Sequence, residues 1–527
     1  KLAIRLGYSG NPKENPQQYF EEDYEKITIE NRRVLDHLLH DAFGEDAPAE
    51  PEVDLILDPD PPIEKIDQVL GRFHFQNREQ AYRNLTELSQ ESVPFLSTRR
   101  CRHFFASIAP RLLEEIDRHP DPDSTLLNLC RVSNSLGGKG ALWELVSFSP
   151  PMLELYVDLC ATSPYLSNIL IHHPGMIDEL LDSLVLNKLP EQRNLEAMLF
   201  ELCRGAEDPE PILHSFKNAH VLRVGIRDIL GKEEIHTTMG ALADIADSCL
   251  WQITKTEYPK LVARVGEPVI ALGPRAGHIA EFAILAMGKF GGRELSYQSD
   301  LDVIFLYEGE GGTQHRSSDR KHQNVTSNHH FFGELAQRIV KSTNRIGPFG
   351  RLYEIDPSQR PTGQSGSLVT SLAAFSEYYR ESREQLWERM ALSRVRVVLG
   401  NEILRAQMAD LVREAVFVKP WCQDDADEMV AMRDRLQQSS NSCNLKRGKG
   451  GIVDIEFITQ MMLLRYGASR PSVQQSNTVA ALMALHEEDL LVDTDFQFLI
   501  RSYRFLWTLR SRLQLFDFAA RDDLPDG

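Results

Sequence analysis

Cysteine is sparse, basic charge is in deficit and long apolar runs are missing, and each shortage narrows what this 527-residue chain can be. The seven cysteines, Cys101, Cys130, Cys160, Cys203, Cys249, Cys422 and Cys443, are odd in number, scattered and free of any CxxC pair. That excludes a disulfide framework and a zinc ribbon, and predicts reduced, mostly buried thiols. No stretch approaches the roughly 18 apolar residues of a membrane span, and no signal peptide opens the chain, so a cytoplasmic protein without a membrane partner is expected. The sequons Asn84-Leu85-Thr86 and Asn324-Val325-Thr326 are then expected to be accidental. Lys and Arg number 58 against 77 Asp and Glu, a net charge of −19. A nucleic-acid partner needs a wide basic footprint and is not expected, whereas a small anionic substrate carried with Mg²⁺ is compatible with this balance.

With 42% hydrophobic and 26% charged residues the chain has the means to bury ordinary cores. Its length implies more than one domain, since single cores stop growing near roughly 250 to 300 residues. Lys1 opens the chain in what reads as mid-helix, so a piece of a longer polypeptide is expected. Phe20, Tyr24, Ile27, Val34, Leu35 and Leu38 give a helical period over Gln17 to Leu39. The acidic, proline-rich stretch 44–62 reads as a linker. From 63 to 205 amphipathic patterns are separated by HPDPD, SPP, TSP and HHP, each a helix stop and restart. Within them Gly137-Gly138-Lys139-Gly140 follows no apolar strand and reads as a helix–helix turn, and His172 and His173, without partners at zinc spacing, read as capping or loop residues.

The chemistry concentrates in 206–400. EFAILAMGKFGG is an apolar strand from Phe282 to Met287 running into a turn at Gly288, where glycines let backbone approach a phosphate and Lys289 offers a point charge. The spacing is not GxxxxGK[ST], which excludes a P-loop. Ser299-Asp300-Leu301-Asp302 then opens DLDVIFLY. Alternation along a strand puts Asp300 and Asp302 on one face, about 7 Å apart, as hard ligands suited to Mg²⁺. A third acid, Asp356, ends the short β-like run RLYEID, and three acids on adjacent strands suffice for two metal ions. The polar stretch 309–330 reads as a solvated loop, with an active-site lid as the lesser alternative.

After Phe375 the pattern turns helical, with Trp387, Met390, Leu392, Val395 and Val398 interleaved with Arg389, Arg394 and Arg396. These arginines form either a solvated face or a phosphate-binding face, and nearness to RPTGQSG favours phosphate for Arg360 and Arg394. In 401–527, NLKRGKGGIVDIEF sets Lys446 and glycines before a helix, an anion site by its backbone. Asp454 there serves equally well to complement the helix dipole. Phe496, Leu499, Tyr503, Leu506, Leu513 and Phe516 read as a bundle seam.

GKFGGRELSYQSDLDVIFLYE, LYEID with RPTGQSGSLVTS, LWERMALSRVRVVLG and KGGIVDIEFITQMMLLRYG, in this order, resemble the bifunctional glutamine synthetase adenylyltransferase/adenylyl-removing family. The resemblance implies an α+β multidomain, mostly α-helical chain. A polymerase-β-like nucleotidyltransferase domain with a small mixed sheet would span 206–400, flanked by helical bundles. Residues 1–43 would be the tail of a preceding bundle, 63–205 the helices between two catalytic halves, and 401–527 a C-terminal bundle.

The strings resemble the adenylylating half more than the removing half. That implies Mg²⁺-dependent transfer of AMP from ATP to a tyrosine of glutamine synthetase, with the PII signal protein and glutamine as regulators. By the same resemblance Asp300, Asp302 and Asp356 are the metal-binding and catalytic acids, with Asp356 also accepting the hydroxyl proton. Gly288, Lys289, Gly291, Gly292, Ser299, Arg360, Arg394 and Lys446 are the candidate nucleotide-binding residues. Ser358 stands where the family pattern has an arginine. Two alternatives are phosphorolytic removal of AMP by the same acids and a helical platform that docks a regulatory protein.

Overall fold

The computed structural model describes residues 24, 27–28, 50–93, 96–179, 188–315, 325–359, 366–381, 385–441, 443–516 and 522–524. Most of the expected helix Gln17 to Leu39 and of the segment 1–43, and Arg360 with its RPTGQ string, lie outside the described residues.

Proline punctuates the N-terminal helices as the sequence suggests. Asp121 caps Pro122–Ser135 by accepting from the Ser124 N–H, and Ser163 caps Pro164–His172 by accepting from the Leu166 N–H. Pro150 opens Pro150–Thr162, and Pro174 opens a short 3₁₀ turn after His173. Proline is tolerated at these first positions because their N–H groups have no helical acceptor. The glycines at 137 and 138 do turn the chain between helices, into Lys139–Phe148. His173 ends its helix and hydrogen-bonds Asn218 at 2.9 Å. Five cysteines are buried and two exposed, and all seven are free.

The linker reading of 44–62 needs correction. Pro51–Leu57 is a helix that buries Leu55 and Ile56 against the helix Thr98–Asp117, because VDLIL after a proline start offers one apolar face. The solvated-loop reading of 309–330 is corrected at its two ends, since Gly311–Gln314 is a strand and Asn328–Asn344 a helix, while 316–324 lie outside the described residues.

The strands are β1 (Glu267–Ile270), β2 (Phe282–Ala286), β3 (Leu301–Tyr307), β4 (Gly311–Gln314), β5 (Ile346–Gly347), β6 (Gly350–Arg351), β7 (Ile355–Asp356), β8 (Val369–Ser371) and β9 (Arg396–Leu399). A five-stranded mixed sheet is built around β3, which runs antiparallel to β2, itself antiparallel to β9. On its other edge β3 pairs in parallel with β7 near its start and with β8 near its end. β1 with β4, and β5 with β6, make two-stranded antiparallel pieces. Residues 396–399, read from sequence as helix, form the β9 edge because β2 offers an open ladder there.

Alternation divides the sheet between two cores. Phe282, Ile284, Val303, Phe305 and Ile355 join the core shared with Ile235–Val265 and Asn328–Asn344. Ala283, Leu285, Ile304 and Leu306 join the core of the C-terminal helices, which include Leu386–Leu392, Ile452–Tyr466 and Asp493–Phe516. Each fully buried Leu, Ile or Phe contributes about 1.5–3 kcal/mol, so slipping β3 by one residue would be prohibitive. That parity sends Asp302 toward the C-terminal helices. In the seam expected there, Leu499 and Tyr503 are buried, while Phe516 is exposed.

Candidate active site

β2 delivers the chain to Met287, whose N–H still donates to the Asp302 carbonyl at 2.9 Å, and the backbone then turns at Gly288 with φ +52°. A Cβ at Gly288 would lie 2.8 Å from Asp302 Oδ2, so glycine is what lets the turn close on that carboxylate. Gly291 and Gly292 serve packing instead. Their Cβ atoms would meet the Arg394 carbonyl at 2.0 Å and an Arg394 guanidinium nitrogen at 2.7 Å, and neither lines the cleft described below.

Asp302 and Asp356 are register partners on β3 and β7, hence neighbours on one face, whereas Asp300, expected on the same strand, is exposed and lies one residue before β3 begins. Burial first, then the charges of Asp300 and Asp356, push Asp302 up to about 7, against the pull of Lys289 and Lys446. One Asp356 oxygen accepts the Ser358 N–H at 2.9 Å. Among the described residues no group of three or more His, Cys, Asp or Glu side chains is placed to hold a metal ion. Lys289 lies in the turn with its ammonium 5.0 Å from the Trp507 ring centre, and burial, then Arg510 and Lys446, hold it well below the ordinary lysine range.

Asp300, Asp302 and Lys289 open onto a cleft of about 660 Å³, within the usual size for a small-molecule site, while Asp356 stands beside Asp302 on β7 and is not among its lining residues. Gly288, Lys289, Asp300, Asp302 and Lys446 line it, together with Gln359, whose Oε1 is buried without a partner. Three helices supply the remaining wall. Leu386–Leu392 contributes Trp387, Met390 and Ala391, Gln423–Gln438 contributes Met432, Arg435 and Leu436, and Ile452–Tyr466 contributes Glu456, Phe457 and Gln460. Sequence reasoning missed most of these. Their signal is the spacing of three and four within each helix, which alone does not distinguish a cleft wall from a core.

Arg394 also reaches the cleft, but its guanidinium is occupied. It pairs with Glu294 and, at 3.1 Å, with Glu456, and the two carboxylates hold it charged against its desolvation. The phosphate role expected of it would fall to a guanidinium that already pairs with two carboxylates. Glu294 is fully buried and also accepts the Thr478 N–H at 2.6 Å. Ser299 is likewise turned inward, bonded to Ser296 at 2.7 Å, and does not line the cleft.

The segment leading to Asp300 is held from several sides. The Tyr297 hydroxyl donates to Asp228 Oδ2 at 2.9 Å, Arg510 donates to Ser296 Oγ at 2.9 Å, and Gln298 donates to the Gln514 carbonyl at 2.9 Å. Asp228 belongs to the helix Glu210–Ile229, so the N-terminal helices and the C-terminal helix both position the strand that carries the acids. Asp454 accepts from the Gly450 N–H at 2.6 Å and pairs with Arg433, which gives it a structural part at its helix start.

Comparison with known proteins shows what the chain is similar to. Residues 153–410 match the model described as glutamate-ammonia ligase adenylyltransferase, and residues 423–527 match the model described as GlnD PII-uridylyltransferase. The chain is 31% identical over 503 residues to a protein of Thioalkalivibrio sulfidiphilus (strain HL-EbGR7), covering 91% of this chain and 51% of that one. It is 31% identical over 430 residues to a protein of Idiomarina loihiensis, covering 79% and 44%. Both relatives are named bifunctional glutamine synthetase adenylyltransferase/adenylyl-removing enzyme. The chain spans about half the length of these curated relatives. No described helix is long and apolar enough to cross a membrane.

Proposed function

We propose, because residues 153–410 match the glutamate-ammonia ligase adenylyltransferase model and the relatives are named for that activity, that the Asp302 cleft transfers AMP from ATP to a tyrosine hydroxyl of glutamine synthetase. The observation that carries this reading is the pairing of Asp302 with Asp356 in register beside the Gly288 turn, at one end of a nucleotide-sized cleft.

In the proposed step the tyrosine oxygen forms a bond to the α-phosphorus, and the bond from that phosphorus to the bridging oxygen breaks. The electron pair leaves with pyrophosphate, and the hydroxyl proton passes to the Asp356 carboxylate. Lys446 brings positive charge to the phosphates, Lys289 in the turn stands beside it as a donor, and the Gly288 backbone leaves the phosphates room. Carboxylate oxygens are the donors Mg²⁺ takes and a cation would relieve the crowding of Asp302 by two like charges, so the fit rests on donor chemistry, the three acids not standing as a formed metal site among the described residues. Asp300, Asp302 and Asp356 would hold the ion, which when bound supplies charge neutralisation of the triphosphate and of the leaving pyrophosphate.

Phosphorolytic removal of AMP is the second reading, favoured by the double activity in the relatives' names. The match of residues 423–527 to a PII-uridylyltransferase model supports a PII signal protein as a regulatory partner, and glutamine is the second proposed regulator. The chain incubated with ATP, Mg²⁺ and glutamine synthetase is expected to leave AMP on a tyrosine, read by mass spectrometry of peptides. ADP released from adenylylated glutamine synthetase and phosphate, with no AMP attached in the first reaction, would reverse the assignment.

A further inference from the structure

The cleft is chemically two-ended. Acids, lysines and the glycine turn gather on the sheet side, whereas the helical wall is largely apolar, with Trp387, Met390, Met432, Leu436 and Phe457 facing the same space. Such a wall is more often simply core. Trp387 argues otherwise, because its side chain is 39% exposed while its indole N–H is fixed to Gln385 Oε1 at 2.7 Å. A large aromatic surface is thus kept in one orientation and left facing water inside a cleft. Met432, Leu436 and Phe457 are also only partly covered. Gln460, one turn beyond Glu456 and Phe457 on the same helix, brings an uncharged donor and acceptor to this wall.

We infer that the helical wall is a purine-base site, with Trp387 and Phe457 giving stacking surface and the Gln460 carboxamide reading the base edge. A carboxamide donates and accepts side by side, and adenine presents the complementary amino donor and ring-nitrogen acceptor. Guanine presents two acceptors along its O6/N7 edge, which leaves half of the carboxamide unmatched. Arg435, exposed at the same wall, has no acceptor and adds no such discrimination. We take the base to be read on its N7 edge, where Gln460 selects adenine over guanine, and affinity comes from Trp387. This inference rests on the nucleotide reading above, since it places the base of the nucleotide whose phosphates meet Asp300 and Asp302.

Equilibrium binding separates the two. Calorimetry with the whole chain, Mg²⁺ and non-hydrolysable analogues of ATP and GTP is expected to give about tenfold or more weaker binding of the ATP analogue for Trp387→Ala, with recovery in Trp387→Phe. Gln460→Leu is expected to bring the two analogues to within about threefold of each other. Thermal unfolding of each variant confirms that it is folded. Unchanged ATP-analogue affinity in folded Trp387→Ala, with a raised KM for glutamine synthetase, overturns the base site and makes the wall a surface for the protein substrate. Wild-type chain that binds the ATP analogue through Trp387 but attaches no AMP leaves the base site standing and overturns the transfer reading.

Discussion

Asp302 and Arg394 face the same cleft, and both are ionisable groups drawn partly or wholly out of water, yet only Arg394 has its counter-charges built in. Arg394 sits between Glu294 and Glu456, whereas Asp302 meets two further carboxylates, with Lys289 and Lys446 opposing them only in part. Desolvating a charge is costly, and a paired arrangement recovers that cost within the fold, while like charges gathered together recover it only when a cation arrives. The paired cluster is architecture that fastens the glycine turn to the C-terminal helices. The cluster left unpaired among the described residues is the proposed site.

Substitutions at the paired cluster give the largest expected change in stability. Arg394→Ala leaves Glu294 and Glu456 as uncompensated charges and is expected to lower unfolding free energy by about 3–5 kcal/mol, measured by urea denaturation. If Arg394→Ala instead unfolds like wild type and only loses nucleotide affinity, the comparison breaks and Arg394 is a phosphate ligand after all. A smaller effect belongs to the staple beside the acids. Tyr297→Phe removes one donor from Asp228, is expected to cost about 1–2 kcal/mol, and slows AMP transfer several-fold because the approach to Asp300 loosens. Steady-state rates alongside denaturation test this, and unaltered transfer in a destabilised variant would detach the N-terminal helices from the chemistry.

The smallest effect sharpens the comparison with a third buried charge. The Lys217 ammonium is met by the Leu352 carbonyl at 2.5 Å and by the Tyr353 ring at 4.6 Å rather than by a carboxylate, and burial lowers it from 10.5 to about 8. Between those values the unfolded chain binds more protons than the folded one, so Lys217 makes stability rise with pH across that window. Lys217→Met is expected to flatten that rise relative to wild type, and an identical slope in both would show that Lys217 does not carry it.

Which of these clusters could be read from sequence follows from how far apart their members lie. Asp300 and Asp302 are two apart in a run with strand period, which located the acids although β3 begins only at Leu301, and the short run ending in Asp356 supplied a neighbour. Gly288 was legible for the same local reason. Arg394 was not, because its partner Glu294 lies 100 residues earlier and only the packed helices bring them together. Gly291 and Gly292 passed for phosphate-binding glycines because a glycine made necessary by a distant backbone looks the same in sequence. The string around Val395 to Val398 fits both a helical and a strand period, and the open edge of β2 decides for the strand. Proline-opened helices were legible because capping is a matter of two or three consecutive residues.

The central claim, that unpaired charge marks the site and paired charge the scaffold, is tested most directly by Asp302→Asn, followed in parallel by AMP transfer to glutamine synthetase and by urea denaturation. Asparagine keeps the shape and removes the charge crowded by Asp300 and Asp356, so transfer should fall about a thousandfold while stability stays level or rises. Transfer retained within a few-fold of wild type, or a loss of activity that merely follows unfolding, would contradict the account.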